Sequence, residues 1–163
     1  MMLINRKGHQ KGIAIVEFTI VASVLLLVLF TIMDAGRYMF TAQTLNDITR
    51  KAARLATVCQ VGDADIATMP SIVEIAPSTF SASNLTIQYL NNSGGIVTNP
   101  ASNYAAIASV RATVSNVGYQ SFSLFPLFTS GDAFADFVTE VPAENLGVLR
   151  ETKNRTGDKK TDC

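Results

Sequence analysis

The sequence is poor in the residue types that do chemistry. Its one histidine, His9, lies in a short basic leader, so the rest of the chain has no imidazole for acid–base catalysis or metal ligation. Serine triads, Cys–His dyads and most zinc sites are excluded together. Two cysteines, Cys59 and Cys163, allow at most one disulfide and no thiolate cluster. Charge is scarce as well: 16% of the 163 residues are charged, 13 basic against 13 acidic, which argues against a nucleic-acid binder and against a disordered tail. There is no phosphate-binding glycine loop, no dinucleotide fingerprint, no nucleophile elbow and no calcium loop. Asp63 and Asp65 are too small a carboxylate pair to make a metal site. We therefore expect no catalytic residue, no metal and no cofactor, and do not expect an enzyme.

What the chain does have is a long apolar run. Apolar residues make up 48% of the sequence, and mean hydropathy is positive at +0.26. Residues 13–33 read IAIVEFTIVASVLLLVLFTIM, 21 residues with one charge, Glu17. As a helix this run rises roughly 31 Å, close to the ~30 Å hydrocarbon core of a bilayer. It is too long for the apolar core of a secretory signal, and Met33, Asp34 and Ala35 make a poor cleavage site behind it. Arg6, Lys7 and Lys11 precede the run without an acidic residue, so the N-terminus is expected in the cytoplasm and the bulk of the chain outside it.

The helical pattern continues past the run. Tyr38, Ala42, Leu45, Ala52 and Ala56 form an apolar stripe at helical spacing, while Arg37, Asp47, Lys51 and Arg54 fall largely elsewhere. The spacing predicts one helix over about 13–58, with the stripe packed on a small domain rather than in a partner's groove. After Cys59 the composition turns to Ser, Thr, Asn, Gly and Pro with short apolar alternations. A short helix interrupted at Pro70 is expected within 63–75. Strands are expected at 85–90, 107–117 and 134–141, with a weak partner strand at 96–98 after the Asn-Asn-Ser-Gly-Gly turn. The fold class that follows is α+β: a long N-terminal transmembrane and stalk helix (about 13–58) carrying a small antiparallel sheet head. The domains would be a leader at 1–12, a membrane span at 13–33, a continuing helix at 34–58, a head at 59–149 and a charged, flexible tail at 150–163. Phe122, Leu124, Phe125, Leu127 and Phe128, around Pro126, would either plug the edge of the core or dock a neighbouring subunit.

Glu17 is the anomaly. An ionised carboxylate inside a membrane span costs about 2.5–3.5 kcal/mol or more unless it finds a partner, so such residues are functional by default. With Lys11 and Gly12 directly before the span, the stretch KG/IAIVEF resembles the class III signal of type IV pilins. That signal has a basic leader, a terminal Gly, an apolar mature start, and a Glu at the fifth mature position followed by an aromatic. The stretch from Gly12 to Ala56 is similar, more narrowly, to TadE-like minor pseudopilins of the tight-adherence (Tad/Flp) pilus system. It supplies Gly12, Ala14, Val16, Glu17 and Phe18, then Asp34, Gly36 and Arg37, then Ala52, Ala53 and Arg54. The later VRATV and VPAENLG segments are also similar to the family, whereas Ser23 stands where many relatives carry a proline.

This resemblance implies a processing site at Gly12 and Ile13, cut by a prepilin peptidase, and assembly residues Glu17 and Phe18, with Glu17 neutralising the new amine of a neighbouring subunit. It implies a minor pilin or pseudopilin acting in pilus assembly or at the pilus tip. Its partners would be other pilins and pseudopilins, the peptidase, the inner-membrane assembly platform and membrane lipid, with no nucleic acid. Its location would be the bacterial inner membrane as a single-pass protein, then the pilus or cell surface. Two other readings stay open: a membrane-anchored extracytoplasmic binding protein or enzyme, and a type II secretion pseudopilin. Cys59 and Cys163 are a candidate disulfide on the oxidising side of the membrane; a bond between chains or two free thiols are the alternatives.

Overall fold

The computed structural model describes residues 10–121 and 133–148. The 1–9 part of the leader, the Phe122–Phe128 cluster, the 150–163 tail and Cys163 lie outside the described residues. The fold is α+β, a long N-terminal helix plus a small antiparallel sheet. Helix α1 (Gln10–Val58) runs unbroken for 49 residues, about 73 Å at the usual helical rise. Nothing in the sequence interrupts it: the segment has no proline, and its two glycines, Gly12 and Gly36, are far enough apart for their neighbours to carry the turn. It starts three residues earlier than the apolar run alone suggests and ends where the stripe ends.

The two halves of α1 differ in what covers them. Through the apolar run nearly every side chain is exposed, and the most hydrophobic 18-residue window, with a mean hydropathy of 2.8, has none of its residues buried. A core helix of a water-soluble domain would be covered there. In the second half Leu45, Ile48, Ala52, Ala53 and Ala56 are fully buried against the sheet. The buried face is wider than the stripe read from the sequence, because Ile48, Thr49 and Ala53 join it. Thr49 is admitted because its buried hydroxyl donates to the Leu45 carbonyl at 2.8 Å.

Three strands, β1 (Leu85–Leu90), β2 (Ser109–Val114) and β3 (Phe137–Pro142), form an antiparallel sheet in the order β1-β2-β3. Register sets Ala112 beside both Ile87 and Thr139, and Val110 beside Tyr89 and Val141. Strand alternation then sends Val110, Ala112 and Val114 to the helix, where all three are buried. Each large aliphatic side chain so covered contributes about 1.5–3 kcal/mol. The alanines at 52, 53 and 56 let the sheet approach closely, and Ala112 answers them from the other side. On the outer face Arg111 pairs with Glu140, its register partner, at 2.9 Å, and the Ser109 hydroxyl donates to the same carboxylate at 2.6 Å. Those bonds hold the Glu140 carboxyl below the ordinary glutamate range, the serine bond contributing most and the arginine next.

Several boundaries shift. The central strand is shorter than 107–117, since Asn116 turns into the left-handed region at φ 57° and ends the ladder. The third strand begins at Phe137, and Ala133 only bridges Gly118. The weak partner strand at 96–98 is a single bridge from Ile96 to Leu90. Pro70 starts the short helix α2 (Pro70–Val73) rather than interrupting one, as suits a residue that lacks an N–H, and a 3₁₀ turn (Asp65–Thr68) precedes it. The last described segment returns to the end of α1. There the Leu146 N–H donates to the Thr57 carbonyl at 2.8 Å, and Gly147, at φ +76°, lies so close that a Cβ would fall 2.7 Å from the Gln60 Cα.

Candidate functional site

Two places on α1 concentrate the residues that the sequence singled out. The first is the start of the apolar run. Gly12, Ile13, Glu17 and Phe18 are all exposed, and Phe18 presents 73% of its surface. A Cβ at Gly12 would meet nothing within 4 Å, so the glycine answers no packing need inside the chain. Glu17 is one helical turn from Ile13, which puts the two residues on one face of the helix. With Val16 and Ile20 they line a shallow apolar hollow along the helix surface.

The second place is the junction where α1 leaves the apolar run and meets the sheet. Asp34 is only 1% exposed, an unusual position for a carboxylate. Its neighbours explain how it is tolerated. The Tyr119 hydroxyl donates to Asp34 Oδ1 at 2.9 Å and lies 3.0 Å from the Asp34 carbonyl, and the Ser121 hydroxyl donates to Oδ2 at 3.0 Å. Burial, and next the bond to Asp34, push the Tyr119 phenol above the ordinary tyrosine range. Around this bond the rings of Tyr38, Tyr119 and Phe134 gather: Tyr38 stacks on Phe134 at 4.8 Å and meets Tyr119 edge-on at 5.2 Å. The junction is thus a polar clasp inside an aromatic collar, joining the helix to a loop 85 residues later.

Residues 12–54 match the family model described as TadE-like protein. Over that stretch, about a quarter of the chain, the sequence is similar to the family. The TadE-like stretch takes in both places on the helix, the Gly12-to-Phe18 start and Asp34 with Gly36 and Arg37, and it stops before the sheet. It points to a protein associated with a Tad pilus and in contact with other components of that system. The exposed apolar helix within it fits a single-pass membrane anchor. No curated protein and no solved structure matches the chain.

Among the described residues no group of three or more His, Cys, Asp or Glu could hold a metal ion. Cys59 is fully buried at the end of α1 and is not a free thiol. Asp34 was visible in the sequence as an acidic residue ahead of Gly36 and Arg37, yet its partners Tyr119 and Ser121 carried no signal. A tyrosine in a Gly-Tyr-Gln-Ser segment announces nothing about a carboxylate in a distant helix.

Proposed function

We propose that this chain is a minor pilin or pseudopilin of a Tad/Flp-type pilus, which takes part in assembling the pilus or forming its tip and is not an enzyme. In this reading a prepilin peptidase cuts between Gly12 and Ile13 on the cytoplasmic side of the inner membrane. The residues after the span lie outside the cytoplasm, and the mature subunit passes into the pilus or to the cell surface. Cleavage creates an ammonium at Ile13, at the head of an apolar helix. In a bundle of such helices the Glu17 carboxylate of one subunit neutralises that ammonium on its neighbour, and the low-dielectric surroundings strengthen the pair. Phe18 packs beside it against neighbouring pilins and pseudopilins at the assembly platform.

One observation carries the reading: the TadE-like match covers a run whose single carboxylate, Glu17, is exposed one turn from the residue that would become the new N-terminus. The exposure of Gly12 supports it, because a peptidase needs access to both sides of the scissile bond.

The test is complementation of a deletion strain with Glu17→Gln, which keeps size and hydrogen bonding while removing the charge. Normal insertion and cleavage with loss of surface pili, or of co-purification with pilin partners, is the expected result. Wild-type piliation with wild-type co-purification would remove the assembly role from Glu17. In parallel, the mass of the membrane-extracted protein should correspond to a chain starting at Ile13. A chain that keeps Met1 or Met2 in a cell with an active prepilin peptidase would refute the pilin reading.

A further inference from the structure

We propose that, before assembly, the hydrocarbon-crossing segment is residues 18–36 rather than 13–33, so that the head is seated in the outer headgroup layer with its Tyr119 and Ser121 loop reaching down to the depth of Asp34. In this seat Arg37 meets lipid phosphate, and Met39 and Phe40 lie in the headgroup layer. The proposal rests on the membrane-spanning reading above and adds where the bilayer sits on the chain.

Both ends of the helix point the same way. With the bilayer at 13–33, exposed Glu17 lies about 6 Å inside the hydrocarbon. At the other end the same placement leaves Met39 and Phe40, 68% and 72% exposed, beyond the membrane in water. Moving the bilayer about four residues along the chain relieves both faults. Exposed Glu17 and exposed Arg37 then mark its two faces; they are separated by 20 residues, about 30 Å of helix, which is the thickness of the hydrocarbon.

One ionisable residue lies between them, and the structure accounts for it. Asp34 is turned away from any lipid, held by Tyr119 and Ser121 from the head. The head therefore covers the one charge that this placement would otherwise expose to acyl chains. It also brings Tyr38, Tyr119 and Phe134 to the depth of Asp34 and Arg37, where aromatic side chains favour the membrane boundary. The open side of α1 at this level, Ile32, Met33, Gly36, Arg37, Met39 and Phe40, is exposed throughout and continues the exposed face of the apolar run, while Asp34, Ala35 and Tyr38 lie on the covered side. Lipid that already covers the lower part of this face extends over the upper part, with the Arg37 side chain reaching to phosphate.

The chain contains no tryptophan, so one introduced indole reports on its own position. The full chain is reconstituted in phosphatidylcholine vesicles whose acyl chains are brominated either near the carbonyl or near the chain end. Ser23→Trp marks the middle of 13–33 and Leu27→Trp the middle of 18–36. We expect chain-end bromine to quench Leu27→Trp about twofold more than Ser23→Trp, because the latter lies about 6 Å nearer one face. Bromine near the carbonyl should quench Phe40→Trp, with Met39→Trp as a second variant should either perturb the helix. Stronger deep quenching of Ser23→Trp, or fluorescence at both 39 and 40 that responds only to aqueous iodide, would overturn the proposal while leaving a membrane span in place. Absence of quenching at every position would overturn the membrane-spanning reading and this proposal together.

Discussion

The clasp at Asp34 gives a direct measure of how firmly the head is tied to the helix. Tyr119→Phe removes one hydroxyl and keeps the ring, so the contacts to Tyr38 and Phe134 at 5.2 and 5.9 Å survive. What is lost is the bond to Asp34 Oδ1 at 2.9 Å, with the contact to the Asp34 carbonyl at 3.0 Å, while the Ser121 bond to Oδ2 is kept. A hydrogen bond to a charged group contributes about 1.5–3 kcal/mol, and the water that could replace it has poor access to a residue 1% exposed. We expect the head of the full chain in detergent micelles to lose about 2 kcal/mol, on the order of 10 °C in Tm for a domain of this size. Near-ultraviolet circular dichroism should follow the transition, because the collar contains two of the four tyrosines. A double-mutant cycle completes the argument: in an Asp34→Ala background, Tyr119→Phe should cost about 1 kcal/mol less than it does alone. An unchanged Tm for Tyr119→Phe, or strict additivity with Asp34→Ala, would refute the clasp. The alkaline limb offers a separate check. Because the Tyr119 phenol is raised in the native state, its stabilisation is complete below the unfolded tyrosine value of about 10 and is lost as pH rises through the higher native value. Tyr119→Phe should therefore reduce the alkaline loss, and Tyr89, raised mainly by its own burial, should account for part of what remains.

Three further outcomes follow from the packing. Gly147→Ala combines a left-handed φ of +76° with a Cβ 2.7 Å from the Gln60 backbone, so a loss of about 2–4 kcal/mol is expected in chemical denaturation, and an effect below about 0.5 would contradict the close approach. Glu140 is held below its ordinary value of 4.5 by Ser109 and Arg111, so its stabilisation is present above that pH and lost as pH falls through the native value. Glu140→Gln should thus lower Tm at neutral pH and make no difference in strong acid; an equal shift at both would show that the charge is immaterial. We propose that Cys59 pairs with Cys163 within one chain, since Cys59 is buried and not free. Alkylation without reductant should leave both thiols unlabelled and the protein monomeric on a non-reducing gel, and full labelling or a covalent dimer would reject the pairing.

The long helix was legible because its signals are local. An uninterrupted apolar run and a stripe at helical spacing depend only on residues a few positions apart, so 13–58 predicted α1 nearly to its ends. Strand β1 was legible for the same reason: Leu85, Ile87 and Tyr89 alternate with Thr86 and Gln88 in the sequence and the segment is bounded by turn residues, although Leu90 is buried as well. The sequence likewise marks Gly12, Ile13, Glu17 and Phe18 as unusual, because a carboxylate in an apolar run needs no structure to stand out. The sheet's order, its register and the true length of β2 depended on which partners lie opposite, and the extra breadth of the buried helix face, through Ile48, Thr49 and Ala53, depended on the sheet's approach. Asp34 shows the division most plainly. Its position at the end of the apolar run is written in the chain, but whether it faces lipid, water or a partner was decided only when folding brought Tyr119 and Ser121 against it. Gly147 is similar, an ordinary glycine in sequence that becomes irreplaceable once the Leu146–Gly147 turn packs on the backbone of Gln60. Local periodicity can specify an element and its face, whereas compensating a buried charge or permitting a close backbone approach depends on groups far away in the chain, which only the tertiary structure brings together.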